Sequence, residues 1–120
     1  YLASVDQQGE TALVYFGGEA SHAFRKGPLL RLDSALVEGL FAPEEITARQ
    51  PGADERALAA AAYAAIPFET PLYARIDMIR DDKGAPVLLE LEMTEPSVYF
   101  RHAAGSADRL ARLLLARCNG

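Results

Sequence analysis

Short apolar runs separated by polar turn residues fill the first 26 positions, a pattern typical of β-strands. It predicts strands at residues 1–5, 11–16 and 19–26, with a turn at 6–9 between the first two. Gly17 and Gly18 supply the positive-φ positions that a two-residue hairpin turn requires. We therefore expect a three-stranded antiparallel meander at the start of the chain.

Residues 27–51 contain three prolines and show no clear hydrophobic period. The pattern predicts a long loop without regular secondary structure. Its apolar stretch at residues 28–40 could cover one edge of the sheet.

The second half of the chain combines two helical patterns with two strands. Residues 54–66 are alanine-rich, begin with acidic side chains and are followed by Pro67, which predicts a helix. Strands are predicted at 72–80 and 86–93, joined by a turn at 81–85. A last helix is predicted at 106–118, with one apolar stripe formed by Leu110, Leu113, Leu114 and Cys118. This order predicts an α+β fold, an antiparallel sheet with two packed helices.

The two strands of the second half place four charged residues on one face. If Asp81 faces Pro86, equal counting sets Asp77 opposite Glu90 and Arg75 opposite Glu92. Since side chains alternate across a strand, the other face is then continuously apolar. That apolar face would consist of Ala74, Ile76, Met78, Val87, Leu89, Leu91 and Met93.

The three clustered carboxylates require positive charge nearby, because like charges on neighbouring strands repel one another. Arg75 can offset one of them. A hard divalent cation with oxygen ligands could offset the others, and Mg²⁺ is favoured where phosphate oxygens complete the octahedron. The residues alone leave a second interpretation equally open, a solvated acidic face with one Arg–Glu pair.

Composition excludes several classes of protein and of site. The 120 residues carry a net charge of −5 and no basic tract, which argues against a nucleic-acid partner. No apolar run approaches the roughly 20 residues of a membrane span. The single cysteine, Cys118, excludes an internal disulfide, and we expect a reducing, cytoplasmic setting. The chain begins without methionine, and we expect it to be a fragment of a longer protein.

The string YARIDMIRDDKGAPVLLELEMTEPSVYF resembles the metal-binding end of ATP-grasp carboxylate-amine ligases. In that family an R-x-D strand is followed by a turn and an E-x-N or E-x-E strand. The resemblance implies that Asp77, Glu90 and Glu92 hold Mg²⁺ (or Mn²⁺) at the ATP phosphates, and that Arg75 faces the phosphoryl group as a catalytic residue. Many members have Asn where this chain has Glu92, which leaves the number of metal ions open.

The string YLASVDQQGETALVYFGGEASHAFRKGP is similar to a cycloserine-ligase-like bacterial subgroup, in which an S-H-x-x-x-K stretch follows the hairpin. The resemblance implies that His22, Arg25 and Lys26 contact the nucleotide or the acid substrate. From the residues alone, His22 is more often a partly buried strand histidine. Arg25 and Lys26, from the residues alone, are more often basic side chains at a strand end that reach into water.

The resemblance implies that residues 1–120 are the C-terminal lobe of an ATP-grasp fold, with the N-terminal lobe of the same protein absent. The implied partners are ATP, a small carboxylate and an amine, and the implied reaction proceeds through an acylphosphate. Self-association into a homo-oligomer is left open. A rival hypothesis is a non-catalytic α+β binding or oligomerisation module with a solvated acidic face. A metal-dependent nuclease ranks lower because no basic groove accompanies the acidic residues.

Overall fold

One antiparallel sheet organises the part of the chain that the computed structural model describes, residues 4–27 and 45–120. The elements in chain order are helix α1 (Ser4–Gln8), strands β1 (Glu10–Phe16), β2 (Glu19–Lys26) and β3 (Ile46–Ala48), helix α2 (Ala53–Ala64), strands β4 (Tyr73–Arg80) and β5 (Pro86–Glu92), a 3₁₀ turn (Phe100–His102) and helix α3 (Ser106–Cys118). The strand order is β3-β2-β1-β4-β5. The predicted α+β fold with an antiparallel sheet is therefore confirmed.

Strand β1 is the middle strand, and apolar side chains cover both of its faces. Leu13 and Tyr15 join a core on the side of α2, where the Tyr15 and Tyr63 rings stack at 4.6 Å between centroids. Ala12, Val14 and Phe16 join a second core with residues of α3 and of the segment before it. Both faces of the sheet are therefore packed, and a charged group on an inner strand is withdrawn from water.

The start of the chain was predicted wrongly. Ser4–Gln8 is a short helix, and residues 1–3 lie outside the described part. The helix ends at Gly9, whose N–H donates to the Val5 carbonyl at 2.9 Å and whose φ is +68°. The place beside β1 that a meander would give to residues 1–5 belongs to β4. Strand β4 is longer and buries Ala74, Ile76 and Met78, which a five-residue segment cannot match.

The predicted loop 27–51 also contains an element that was missed. Ile46–Ala48 forms β3, which pairs with Phe24, Arg25 and Lys26 of β2. Three residues are too few to show a hydrophobic period, so the pattern carries no signal for this strand. Residues 28–44, including the apolar stretch at 28–40, lie outside the described part.

The β4–β5 hairpin confirms the two predicted cross-strand pairs, although its register nearer the turn differs from the predicted one by one residue. Asp77 lies opposite Glu90 and Arg75 lies opposite Glu92, but Arg80 rather than Asp81 lies opposite Pro86. A β-bulge next to Asp77 absorbs the difference of one residue. The continuous apolar face is correct for β4 but wrong for much of β5, an edge strand on which Val87 and Leu89 are 39% and 52% exposed.

Both predicted helices are present, and α3 has the predicted bounds. Leu110 and Leu113 of its stripe pack on the sheet, whereas Leu114 and Cys118 are exposed, because the helix contacts the sheet over part of its length. Within the described ranges, no helix is long and apolar enough to cross a membrane.

Candidate functional site

Asp77 of β4 is the centre of the charged cluster, and its side chain is fully buried. Arg75, two positions earlier on the same face, donates from Nε to Oδ1 and from Nη2 to Oδ2, each at 2.9 Å. Lys26 Nζ donates to Oδ2 at 2.7 Å from strand β2. Two cations therefore satisfy both oxygens of a carboxylate that the sheet and its covering segments keep from water.

Glu10 completes the surroundings of Lys26. It lies opposite Lys26 in the β1–β2 pairing, and its Oε2 is 2.7 Å from Lys26 Nζ. The contact is an ion pair whose alignment falls short of a hydrogen bond, so Oε2 is a buried oxygen without a hydrogen-bond partner among the described residues. Burial acts to lower the pKa of Lys26, but the hydrogen bond to Asp77 and the charges of Asp77 and Glu10 outweigh it and raise that pKa.

Arg75 is fixed from three directions. Besides Asp77, its Nη2 lies 2.7 Å from Glu92 Oε2, and its Nη1 donates to the Ser97 carbonyl at 3.2 Å. Burial acts to lower its pKa, and the hydrogen bond to Asp77 together with the nearby carboxylates raises it. A guanidinium held in this way has one orientation, which is what a group that contacts phosphate requires.

The cluster carries more negative than positive charge. Its acids are Glu10, Asp77, Glu90 and Glu92, and its bases are Lys26 and Arg75, so four negative groups face two positive ones. Glu90 is exposed at the edge strand. One divalent cation would balance this excess of two negative charges.

The described residues do not form a ready-made metal centre, however. Among residues 4–27 and 45–120, no three His, Cys, Asp or Glu side chains are grouped closely enough to hold a metal ion. The donor chemistry nevertheless fits a hard cation, because all four acids offer carboxylate oxygens. The ammonium group of Lys26 already lies between Glu10 and Asp77, where it acts as a stand-in cation.

His22 is placed apart from this cluster. Its Nε2 lies 2.6 Å from the Val98 carbonyl and its Nδ1 lies 2.9 Å from Ser21 Oγ. Since a carbonyl only accepts, Nε2 carries the proton. Burial lowers the pKa of His22, as do the charges of Arg109 and His102, against the opposing effect of the hydrogen bond to Val98.

A cavity of about 370 Å³ adjoins His22 at the edge of β2. Its lining includes Arg49, Arg56 and His102 but no acidic residue. His22 therefore faces a basic hollow, in addition to its structural hydrogen bonds.

Arg25 lies on the opposite side of the sheet. It pairs with Thr11, whose hydroxyl reaches Glu55 of α2, and its Nε donates to the Gln8 carbonyl at 2.8 Å. The structure thus brings Lys26, Arg75, Asp77 and Glu92 into direct contact, with Glu90 opposite Asp77. Arg25 is not part of that group.

Glu10 is the member of the cluster that sequence reasoning missed. Counting back evenly from the Gly17–Gly18 turn pairs Glu10 with Arg25. An irregularity between Val14 and Tyr15 shifts the pairing by one, so that Glu10 faces Lys26. The sequence does show an acidic residue, Glu10, at the start of a strand. It does not show that Lys26 is the partner of Glu10, because that pairing depends on the shifted register.

The chain resembles known proteins over nearly its whole length. The cycloserine biosynthesis protein DcsG of Streptomyces lavendulae is 38% identical over 122 residues, which is 98% of this chain and 40% of that protein. The crystal structure of the D-cycloserine synthetase DcsG superposes with a TM-score of 0.82 at 36% identity, again over 98% of this chain and 40% of that one. The chain thus spans about two fifths of the length of these relatives. No family model matches the chain.

Two more distant structures share the fold. The ATP-grasp ligase PsnB, complexed with its minimal precursor, Mg and ADP, gives a TM-score of 0.60 at 14% identity over 88% of this chain and 32% of its own. A D-alanine–D-alanine ligase from Bacillus anthracis gives 0.60 at 16% identity over 89% of this chain and 38% of its own. The chain therefore shares its fold with the ATP-grasp ligase PsnB and with a D-alanine–D-alanine ligase, and it is similar to part of a cycloserine synthetase.

Proposed function

We propose that the chain forms the C-terminal, metal-binding part of a ligase that joins a carboxylate to an amine at the expense of ATP, through an acylphosphate. The observation that carries the proposal is the buried Arg75–Asp77–Lys26 cluster, with Glu90 and Glu92 opposite it on β5. This cluster lies on a sheet whose topology is shared with ATP-grasp ligases.

Each side chain has a role that follows from its position. Asp77, Glu90 and Glu92 are the proposed ligands of Mg²⁺ or Mn²⁺, which when bound offsets negative charge on the phosphate oxygens. Arg75, held by Asp77, Glu92 and the Ser97 carbonyl, presents a fixed positive charge to the transferring phosphoryl group.

Lys26 and His22 have supporting roles in this proposal, whereas Arg25 does not. Lys26 is the basic residue placed to contact a phosphate, since it lies on the same face as Asp77. His22, beside the basic cavity, is the candidate to contact substrate. For Arg25, on the other side of the sheet, a direct nucleotide contact has no geometric support.

The proposed activity belongs to a larger protein than these 120 residues. An ATP-grasp site closes between two lobes, and the proposed partners are an N-terminal lobe of the same protein, ATP, a small carboxylate and an amine. We expect the 120 residues alone to show no ligation, which an ATP-dependent product assay on this piece would contradict if amide formed.

The rival hypothesis is a binding module with a solvated acidic face. The complete burial of Asp77 argues against it, because an acidic face that serves only as a surface has no reason to withdraw a carboxylate from water. Three paired donors on that carboxylate favour a site whose charges are positioned for a ligand.

The decisive experiment is a titration of the full-length protein with Mg²⁺ and Mn²⁺, with and without ATP, followed by thermal unfolding. Binding to the folded state raises its stability by mass action. The response is expected to disappear in Glu90→Gln and in the Asp77→Asn, Glu90→Gln double variant. The exposed acids Asp82 and Glu69 give a matched control double variant, Asp82→Asn with Glu69→Gln, which should respond as the wild type does. An equal response in all of these proteins would contradict the proposed metal ligands.

A further inference from the structure

We propose that the ammonium group of Lys26 is a built-in substitute for the divalent cation, and that it keeps the metal from Asp77 until a nucleotide phosphate draws Lys26 away. This inference rests on the proposed function, because it concerns the order in which the same site is filled. It makes Lys26 a residue that couples metal binding to nucleotide binding.

The ammonium group of Lys26 lies between two carboxylates. Lys26 Nζ lies 2.7 Å from Asp77 Oδ2 and 2.7 Å from Glu10 Oε2, so it is shared by carboxylates from two different strands. A cation that bridges two carboxylates occupies the kind of position that a metal ion takes. A divalent ion that took Asp77 Oδ2 together with Glu90 and Glu92 would lie beside this ammonium group, and the two positive charges would repel one another at close range in a partly buried site.

Asp77 Oδ2 has both of its acceptor positions filled. Oδ1 accepts from Arg75, and Oδ2 accepts from both Arg75 and Lys26. The carboxylate is fully buried and reaches no solvent. A metal ion can therefore gain Oδ2 of Asp77 only if one of its two donors leaves, and Arg75 is also held by Glu92 and the Ser97 carbonyl. Lys26 is the donor that can move.

A nucleotide phosphate would give Lys26 a place to move to. The ammonium carries three N–H donors, and the contacts with described residues are one hydrogen bond to Asp77 and one ion pair with Glu10, which leaves one donor for a further acceptor. A nucleotide phosphate would offer it strong acceptors within the reach of its flexible four-carbon side chain. Once Lys26 moves to the phosphate, four acids face Arg75 alone, and the excess of negative charge in the cluster grows from two to three. Nucleotide binding thereby raises the affinity of the site for a divalent cation.

The test compares Lys26→Met with Lys26→Arg in the full-length protein. Mn²⁺ is the probe, and its dissociation constant is measured by electron paramagnetic resonance of the free ion, with and without a non-hydrolysable ATP analogue. Without nucleotide, Lys26→Met should bind Mn²⁺ about tenfold more tightly than the wild type, because the competing charge is gone. Lys26→Arg retains a cation and should bind as weakly as the wild type does.

With the analogue present, the phosphates supply ligands to Mn²⁺ in every variant, so the informative quantity is the difference in gain: the wild type should gain about tenfold more Mn²⁺ affinity than Lys26→Met, which has no lysine to displace. Mn²⁺ bound by the analogue alone is measured without protein and subtracted. If Lys26→Met fails to fold, Lys26→Gln, which is also uncharged, takes its place. A wild type that gains no more Mn²⁺ affinity from the analogue than the uncharged variant does would overturn the inference. So would a folded Lys26→Met that binds Mn²⁺ no better than the wild type.

Failure of the proposed function gives a different result. In that case the wild type and Asp77→Asn would bind Mn²⁺ equally in the presence of the analogue, and the inference would fall with the function. If Asp77→Asn lowers Mn²⁺ binding while Lys26→Met does not raise it, the proposed metal site is supported. The proposal that Lys26 takes the place of the metal ion is then wrong.

Discussion

Arg75 and Asp77 lie two positions apart on β4 and form a two-point ion pair, with both nitrogen–oxygen distances at 2.9 Å. Alternation along the strand puts both side chains on one face, and the guanidinium fork matches the carboxylate. The pair is withdrawn from solvent, so each group depends on the other for compensation.

Removing Arg75 should therefore destabilise the fold strongly. We expect Arg75→Met to lower the free energy of unfolding by about 3–5 kcal/mol, because Asp77 keeps only Lys26 as a partner. Arg75→Lys should cost less, since it retains the charge but not the two-point geometry. Urea unfolding measures both, with Arg112→Met on the exposed side of α3 as a control expected within about 0.5 kcal/mol of the wild type. Equal effects of Arg75→Met and Arg112→Met would contradict this account.

Gly9 should tolerate alanine far less than Gly84 does. Both have a positive φ, +68° and +80°, so both substitutions carry the backbone strain of about 1–2 kcal/mol. A Cβ at Gly9 would also collide with the backbone oxygen of Lys26, whereas a Cβ at Gly84 has no neighbour within 4 Å. Chemical denaturation of the two variants isolates the steric part, and the prediction fails if their stabilities are alike.

The hydrogen bond between Thr11 and Glu55 should contribute to the attachment of α2. Thr11 Oγ1 donates to Glu55 Oε1 at 2.7 Å, both residues are buried, and Glu55 Oε2 accepts from the Gly52 N–H at 2.7 Å. Thr11→Val keeps the shape but leaves a buried carboxylate oxygen unpaired, at a cost of about 1–3 kcal/mol in unfolding free energy. Thr47→Val on the exposed face of β3 is the control and should change stability little. A Thr11→Val variant as stable as this control would show that water replaces the lost donor.

The fold should lose stability below neutral pH through His22. Its pKa is lowered in the folded state by burial and by the charges of Arg109 and His102, so the unfolded chain binds the proton more readily. The contribution of neutral His22 is present above its unfolded pKa of about 6.5 and is lost as the pH falls through the folded value. The stability difference between wild type and His22→Gln should therefore shrink from pH 8 to pH 5 in denaturant titrations. A difference that is constant over this range would rule out His22 as the titrating group.

The sequence predicted those parts of the fold that have a strong local signal. The alanine-rich run of α2, the leucine stripe of α3 and the glycine pair at the β1–β2 turn each specify their element through nearby residues. Strand order has no such signal. Whether residues 1–5 or β4 lie beside β1 depends on the apolar area that each pairing buries across the whole chain.

The candidate site was predicted in part for a similar reason. Arg75, Asp77, Glu90 and Glu92 lie on one hairpin, so alternation and counting suffice to bring them together. Lys26 was identified only through the family resemblance, and its contact with Asp77 joins residues 51 positions apart. Glu10 was missed because a single irregular position in β1 and β2 changes its partner. Local pattern cannot show contacts that depend on such shifts.

The bulge beside Asp77 separates the two ends of the β4–β5 hairpin. Beyond it, toward the turn, the strands run with Arg80 opposite Pro86, while before it Asp77 still faces Glu90. A strand that absorbs one extra residue at this point insulates the charged pairs from changes in turn length. Related chains could therefore gain or lose a residue in the turn at residues 81–85 and still keep Asp77 opposite Glu90. The turn end of the hairpin is free to vary in sequence and length, while the end that carries the charged pairs stays the same.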